Sequence, residues 1–504
     1  MKDIQLSRKF CKNGNLSIFT SLFFSFCFLF LSQKTIAQDT NTTITTQKWS
    51  LDSCIAYALR QNIQLKINEL NIQNSELTLE QSKNNRLPNA NASFSHNYNW
   101  GRSIDPFSNS FVNQRIQTNN LSLNSSTTLF NGFSLKNTIQ QSELQVQADK
   151  LNYGQSQNDL MLNIASNYLQ VILNQEISEN ARRQKASTQA QYDRTGQLVE
   201  AGVLPRANLY DLEAQLAADQ QQIILGENNF MLAKLQLRQL MQLPPTQEFE
   251  IVTPEVGDPS SILDSKNPYL IYQTAQTTQP NIKAADVNIE VARKGIDIAE
   301  AGKYPTLSLI GGGGANYTSN QRTRFDPTNP TVIGVDTLGY IPDGFGVPRD
   351  FVVRPDVAFG TQKFNFFDQL NESFRYSVGL NLQIPIFNRF QVETNVQRAE
   401  IQTQNAKLNS ELVRTQLYQT IEQAYISARA AKASFEASQQ RVKALEETVR
   451  VMEKRLEAGA ANSTEYTVVK NNLLAAQTDL LRAKYEFVFR IKVLEFYEGE
   501  ELKF

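Results

Sequence analysis

A short word occurs twice in this chain. "TLFNGF" (Thr128 to Phe133) and "PIFNRF" (Pro385 to Phe390) stand 257 positions apart. At the same offset, without a gap, "VEAGVLPRANLYD" (Val199 to Asp211) aligns with "LEAGAANSTEYTV" (Leu456 to Val468), Tyr168 with Tyr425, and Phe230 with Phe487. Farther upstream "RLPNA" (Arg86 to Ala90) matches "KYPTL" (Lys303 to Leu307) at an offset of 217, which leaves 40 extra residues between Pro305 and Phe387. Chance does not predict a gapless offset sustained over more than 70 residues, so the chain reads as a tandem duplication. Any fold for it has to be built twice from the same parts.

The parts read helix, strand, strand, long helix, sharp break, helix. Residues 417, 421, 424, 428, 431, 435, 438, 442, 445, 449, 452 and 456 follow alternating steps of four and three, and eleven of these twelve are apolar, a sustained heptad seam. The following helix repeats the spacing from Tyr466 to Leu494, and its first-half twin from Leu209 to Leu240. The long helix of the first half is less regular, with Asn167, Asn174 and Lys185 at aligned seam positions. A continuous helix from Gly132 to Ala201 would run about 105 Å, and such a rod buries its seam only against other helices. The expected segments are a first repeat over 38–245 (strands about 89–102 and 118–131, long helix 132–201, helix 205–243) and a linker over 246–265. A second repeat covers 266–498 (strands about 305–318 and 372–387, long helix 388–458, helix 462–498), before a tail at 499–504. The insertion 319–371, with five prolines, is expected to be a loop at the extracellular end of the second strand pair, folded over the outer mouth.

The N-terminus reads as a secretory signal over 1–37: Lys2, Arg8, Lys9 and Lys12, then "LSIFTSLFFSFCFLFLS", then the small-residue site ending at Ala37. Its removal leaves 44 Lys and Arg against 49 Asp and Glu, which favours no nucleic-acid surface. It also leaves Cys54 as the single cysteine, so no intrachain disulfide forms, and His96 is the single histidine. No cofactor or metal is expected, and no catalytic set emerges from the spacing; an enzyme is the weakest reading. "GGGGANYT" (Gly311 to Thr318) lacks the Lys-Ser/Thr of a phosphate loop and reads as a strand with small side chains against a crowded wall.

The strands carry the membrane argument. "FRYSVGLNLQIPIFN" places Phe374, Tyr376, Val378, Leu380, Leu382, Ile384 and Ile386 on one face, with polar or small residues on the other. Leu121, Leu123 and Leu129 repeat this more weakly, and Phe94, Tyr98, Trp100, Leu307, Leu309 and Tyr317 alternate in the remaining two strands. Strands of this length cross a bilayer when tilted, and without a long apolar helix in the mature chain a span has to be a closed barrel. Four strands are too few to close alone. Three copies would give twelve strands and a ring of twelve helical positions.

With its duplicated plan, the opening "SLDSCIAYALRQN" (Ser50 to Asn62), the "LFNGF" and "IFNRF" strand exits and the "EAG" breaks, the chain resembles the outer-membrane factor family of TolC-type efflux proteins over roughly residues 48 to 498. The resemblance implies a mainly α fold with membrane β: a tandem-duplicated helix-strand-strand-helix protomer, trimerising into a 12-stranded outer-membrane β-barrel on a long periplasmic α-helical barrel. It implies passive conduction of substrates from a tripartite efflux or type I secretion assembly, with a homotrimer, a periplasmic adaptor and an inner-membrane pump of RND or ABC type as partners. In that family the helix after each break turns carboxylates to the lumen at the periplasmic tip, six and nine positions after the glycine. Carried over, Gly202 gives Asn208 and Asp211, and Gly459 gives Glu465 and Val468; Pro205 belongs to the first break. The other reading of Asp211 and Glu465 is ordinary solvated acids at helix N-termini. The family's arginine and tyrosine gate links have no equivalents at Ala461 and Leu456. Phe130, Asn131, Gly132, Phe387 and Asn388 are expected to form the joints between barrel and tunnel, with Asn131 as helix N-cap. A different class stays open: a periplasmic coiled-coil scaffold that does not conduct.

Overall fold

Two copies of one backbone path appear in the computed structural model, which describes residues 48–104, 111–113, 115–245, 247–253, 263, 266–319, 323–342, 348–458, 460–500 and 502. The expected signal segment, Gly459 and most of the linker lie outside the described residues. Lys48–Pro244 and Ile251–Phe504 form one unit, to which every element below belongs. Of the other, only Pro245 and 247–250 are described.

The first half runs α1 (Leu51–Gln61), α2 (Ile63–Asn84), β1 (Asn89–Asn99), β2 (Ile116–Asn131), α3 (Ser134–Glu200) and α4 (Ala207–Met241). The second runs α5 (Pro268–Thr278), α6 (Pro280–Glu300), β3 (Thr306–Thr318), β4 (Thr323–Pro342), β5 (Pro348–Lys363), α7 (Phe366–Ser373), β6 (Arg375–Gln383), α8 (Gln391–Glu457) and α9 (Ser463–Glu498). α1 and α5 are offset by 217, and α3 and α8, 67 residues each, by 257. Asn62 ends α1 and caps α2, its Oδ1 accepting from Gln64 N at 2.9 Å and Leu65 N at 3.2 Å. Its counterpart Gln279 precedes Pro280, a residue suited to a first helical turn because it has no N–H to leave unpaired.

β1, β2, β3 and β6 form one antiparallel sheet in the order β6-β3-β2-β1. The helices lie in the matching order: α2 packs on α3, α3 on α6, and α6 on α8. Both layers therefore end at the same two places, β1 with α2 on one side and β6 with α8 on the other. Below them α4 packs along α3 and α9 along α8, with α9 also touching α3 and α4.

The expected seam of α8 is buried from Leu417 through Ile421, Ala424, Ala428 and Ala431 to Phe435, against Phe487, Ile491 and Leu494 of α9 and Ile271 and Ile282 of the α5–α6 arm, and Val442 farther along is buried too. In the first half Cys54, Ala58, Ile164 and Leu237 occupy the positions of Ile271, Ala275, Ile421 and Leu494, and all are fully buried. Cys54 thus serves as a small core apolar residue, and burial pushes its thiol up to about 12. α3 has its irregular seam because it is flanked on both sides, by α2 and α6 above and by α4 and α9 below. Its buried residues accordingly include polar Ser178, Asn180, Thr188 and Thr195.

The sheet has one apolar and one polar face. Leu380, Leu309 and Thr127 share one register row, as do Tyr376, Gly313, Leu123 and Ala92. Tyr376, Val378 and Leu380 are 81%, 78% and 66% exposed, far more than a soluble sheet leaves open to water. On the other face Ser377, Gly312, Asn124 and Asn91 form one row and Arg375, Gly314, Ser122 and Ser93 the next. A Cβ on Gly312 would stand 2.9 Å from Asn124 Oδ1, and one on Gly314 2.7 Å from Leu121 O. The glycine run thus lets the polar face crowd at the middle of the sheet.

Three expectations need correction. Within the expected loop insertion 319–371, residues 323–342 and 348–363 are strands: β4 and β5 pair with each other as a separate ribbon, and α7 follows. Prolines are tolerated there because each strand of an isolated ribbon keeps one free edge. β6 ends at Gln383 rather than 387, just ahead of Pro385. The third concerns Asn131 and is taken up with the joint.

Candidate functional site

Sequence reasoning singles out two places, the strand-to-helix joint and the helix-break tip. At the joint, α3 begins only at Ser134, so Asn131 is not its N-cap; Phe133 holds that position without a side-chain cap. Asn131 still serves a free donor, its Oδ1 accepting from Leu135 N at 3.2 Å. In the twin the main-chain oxygen of Asn388 accepts from Gln391 N at 3.1 Å. The correction has a physical cause. Two consecutive left-handed residues, Gly132 (φ 63°) and Phe133 (φ 68°), intervene before the helix, and Arg389 (56°) and Phe390 (59°) repeat them. This reversal sets Phe130 edge-on to Phe133 (centroids 5.4 Å) and Phe387 edge-on to Phe390 (5.7 Å). A bulge at Leu129 also rotates Phe130 into register with Leu307.

At the tip, α3 ends in a Schellman motif: Val203 N donates to Leu198 O at 2.8 Å, Gly202 N to Val199 O at 3.0 Å, and Gly202 has φ 74°. The equivalent Ala460 N to Arg455 O bond, 2.8 Å, closes α8. Asn208 N donates to Pro205 O at 3.2 Å, and Asn462 caps α9 by accepting from Glu465 N at 2.8 Å. Asp211, Glu465 and Val468 are exposed and Asn208 is half-buried. Asp211 meets α9 directly, Thr464 Oγ1 donating to its Oδ2 at 3.2 Å.

Sequence reading misses what lies behind this contact. Gln215 and Asn471 exchange two side-chain hydrogen bonds at 3.1 and 3.0 Å. Lys470, buried, donates to Ser187 Oγ at 2.8 Å and lies over the Tyr466 ring. Burial pushes the Lys470 ammonium below its ordinary range, and the nearby carboxylates of Asp219 and Glu453 oppose this. Asp219, 2% exposed, accepts from Gln215 Nε2 at 2.8 Å through one oxygen, while its other oxygen has no hydrogen-bond partner. The tip is thus two hairpins joined by a polar seam in which Lys470 and Asp219 are buried. The available signal was the repeat offset: Gln215 and Asn471 lie 256 positions apart, so near-equivalent heights on α4 and α9 meet.

The outer membrane efflux protein family model matches residues 54–241 and 271–490, which takes in both halves, both joints and both tips. The chain belongs to the outer membrane efflux protein family. TolC of Vibrio cholerae is 27% identical over 194 residues, 38% of this chain; the match spans less than half of that relative, 43%. Among solved structures, VceC of Vibrio cholerae matches with a TM-score of 0.67 at 15% identity, covering 90% of this chain and 97% of VceC. The CmeC outer membrane channel of Campylobacter jejuni matches with 0.66 at 16% identity, covering 94% and 92%. At such identities the likeness establishes the efflux-protein fold.

Proposed function

We propose that three copies of this chain close into an outer-membrane duct that passively conducts substrates delivered by an inner-membrane pump through a periplasmic adaptor, in a tripartite efflux or type I secretion assembly. The carrying observation is that sheet and helical layer stop at the same two edges. The unpaired edge of β1 and the unpaired edge of β6 are antiparallel partners for neighbouring copies, and the same rotation brings α2 of one copy beside α8 of the next. Exposed Ile63, Ile67, Leu70 and Leu77 on α2 and Ile401, Leu408 and Leu412 on α8 give both helical edges an apolar surface to bury. The exposed apolar face of the sheet suits lipid, and the Asn- and Ser-rich face suits a wet lumen. No helix among the described residues is long and apolar enough to cross a membrane, so the sheet is what would span it.

In this reading the signal over 1–37 delivers the chain to the periplasm, the joints stand at the periplasmic face of the outer membrane, and Asn208, Asp211, Glu465 and Val468 with the breaks at Gly202, Pro205 and Gly459 form the periplasmic aperture. The test is single-channel conductance of the purified protein in planar bilayers together with its mass in detergent. Trimers that conduct are expected. A soluble, monomeric and non-conducting periplasmic protein would instead make it a coiled-coil scaffold.

A further inference from the structure

The β4–β5 ribbon has two unlike faces. Val332 pairs with Val357, Val335 with Pro355, and Tyr340 with Phe351, and because paired residues point to one side these six share a face. Val353, opposite Thr337, completes it, so between Val332 and Tyr340 and between Phe351 and Val357 this face carries no charge. Over the same stretch the opposite face holds Asp336, Asp350 and Asp356 with one cation, Arg354, which pairs with Asp336 at 3.7 Å, beside Ile341 and Val352. Extra residues at Ile333 and Leu338 keep the two strands in this register. Val332, Val335 and Phe351 are each more than 60% exposed.

A two-stranded ribbon is marginal in water without something against its apolar face. The described uncharged patch is about 20 Å long and 10 Å wide, far below the roughly 800 Å² per partner of a stable interface. It cannot recruit a free partner by itself, so its occupant has to be delivered at high effective concentration. The ribbon's root states what is delivered. It springs from β3 and returns through α7 to β6, the open edge of the sheet. That root is fixed, with Gln369 Oε1 accepting from Thr318 N at 3.0 Å and Ser373 Oγ from Asn316 N at 2.9 Å. Whatever pairs with β6 carries its own ribbon to the same end.

We infer that the uncharged face of the ribbon is a contact surface for the same face of the neighbouring copies, so that the ribbons of one ring associate with each other above the sheet. The acidic faces then point outward, where their like charges do not oppose association. The inference rests on the ring reading under Proposed function, and the two are separable. Cysteine is placed at Val335 or at Val353, and separately at Arg354, in the full chain, whose mature form otherwise holds only buried Cys54. Outer membranes are treated with a short bismaleimide. Val335→Cys and Val353→Cys are expected to give covalently linked copies in several-fold excess over Arg354→Cys. Rings that remain trimeric by native mass yet show no linkage, equal linkage from both faces, or linkage only to another cysteine-bearing protein would overturn the inference and leave the ring reading standing. Monomers throughout would overturn both.

Discussion

Gly132 and Ala301 lie so close that no side chain fits between them: a Cβ on Gly132 would stand 2.6 Å from the Ala301 carbonyl oxygen and 2.9 Å from Tyr304 Cβ. Arg389, the duplicate of Gly132, holds nearly the same backbone angle while carrying a full side chain. The two joints therefore share a conformation but differ in what surrounds them. Gly132→Ala is expected to destabilise by roughly 2 kcal/mol or more, combining left-handed strain of about 1–2 kcal/mol with the clash. Arg389→Gly relieves the same strain without a clash and is expected to be neutral or stabilising by up to about 1 kcal/mol. Thermal melts of the detergent-solubilised protein would separate the two; equal losses would show that the joints are equivalent.

The aperture assignment predicts an electrical phenotype. With Asp211→Asn and Glu465→Gln together, the preference for cations and the block by multivalent cations should both weaken, because the tip then loses its candidate ring of carboxylates. Thr464→Val removes only the hydrogen bond to Asp211 and should leave ion preference intact. Unchanged selectivity in the double variant would return both acids to the role of solvated helix-start residues.

The polar seam behind the tip predicts coupling between Lys470 and Asp219. Asp219→Asn removes a charge that offsets the burial of Lys470, and Lys470→Met leaves Asp219 buried without it, so each single change should lower the melting temperature. The double variant should lose less than the sum, by roughly 0.5–3 kcal/mol for groups sharing one network. Strict additivity would mean that the two charges do not sense each other.

Cys54 predicts alkaline lability. Its thiol is held near 12 in the folded chain against an ordinary value of 9.0, so the native state binds the proton more tightly than the unfolded state. The stability this contributes is complete below pH 9 and is lost as pH rises toward 12. Tyr485, raised from 10.0 to about 12 by burial, adds to the loss above pH 10. Cys54→Ala should flatten the decline between pH 9 and pH 10, measured as melting temperature against pH. The native thiol should also resist an aromatic disulfide reagent until the protein unfolds.

Periodic features of this chain are legible in its sequence because duplication writes them twice. The seam from Leu417 to Val442 is visible because α8 sits at an edge of the helical layer and buries a narrow stripe. α3 hides the same signal because helices on both flanks bury a broad, mixed surface. The ribbon was obscured by Pro330 and Pro355, which ordinarily argue against strands but are harmless on free edges. At the tip, Lys470 and Asp219 look like solvated helix residues; only the approach of α9 to α3 and α4 buries them. The displacement of the cap from Asn131 to Phe133 depends on two residues with positive φ, one of them a phenylalanine, for which composition gives no hint.

The open edges of β1 and β6 also make time a constraint. On the proposed ring reading, a copy without its neighbours holds two rows of unsatisfied backbone groups and a bare apolar sheet, features that drive strands of unrelated chains to stick together. In that reading, time between synthesis and ring closure is time of exposure to aggregation. If the proposed ring forms, the folding problem extends past the single chain, and its solution depends on how fast copies meet.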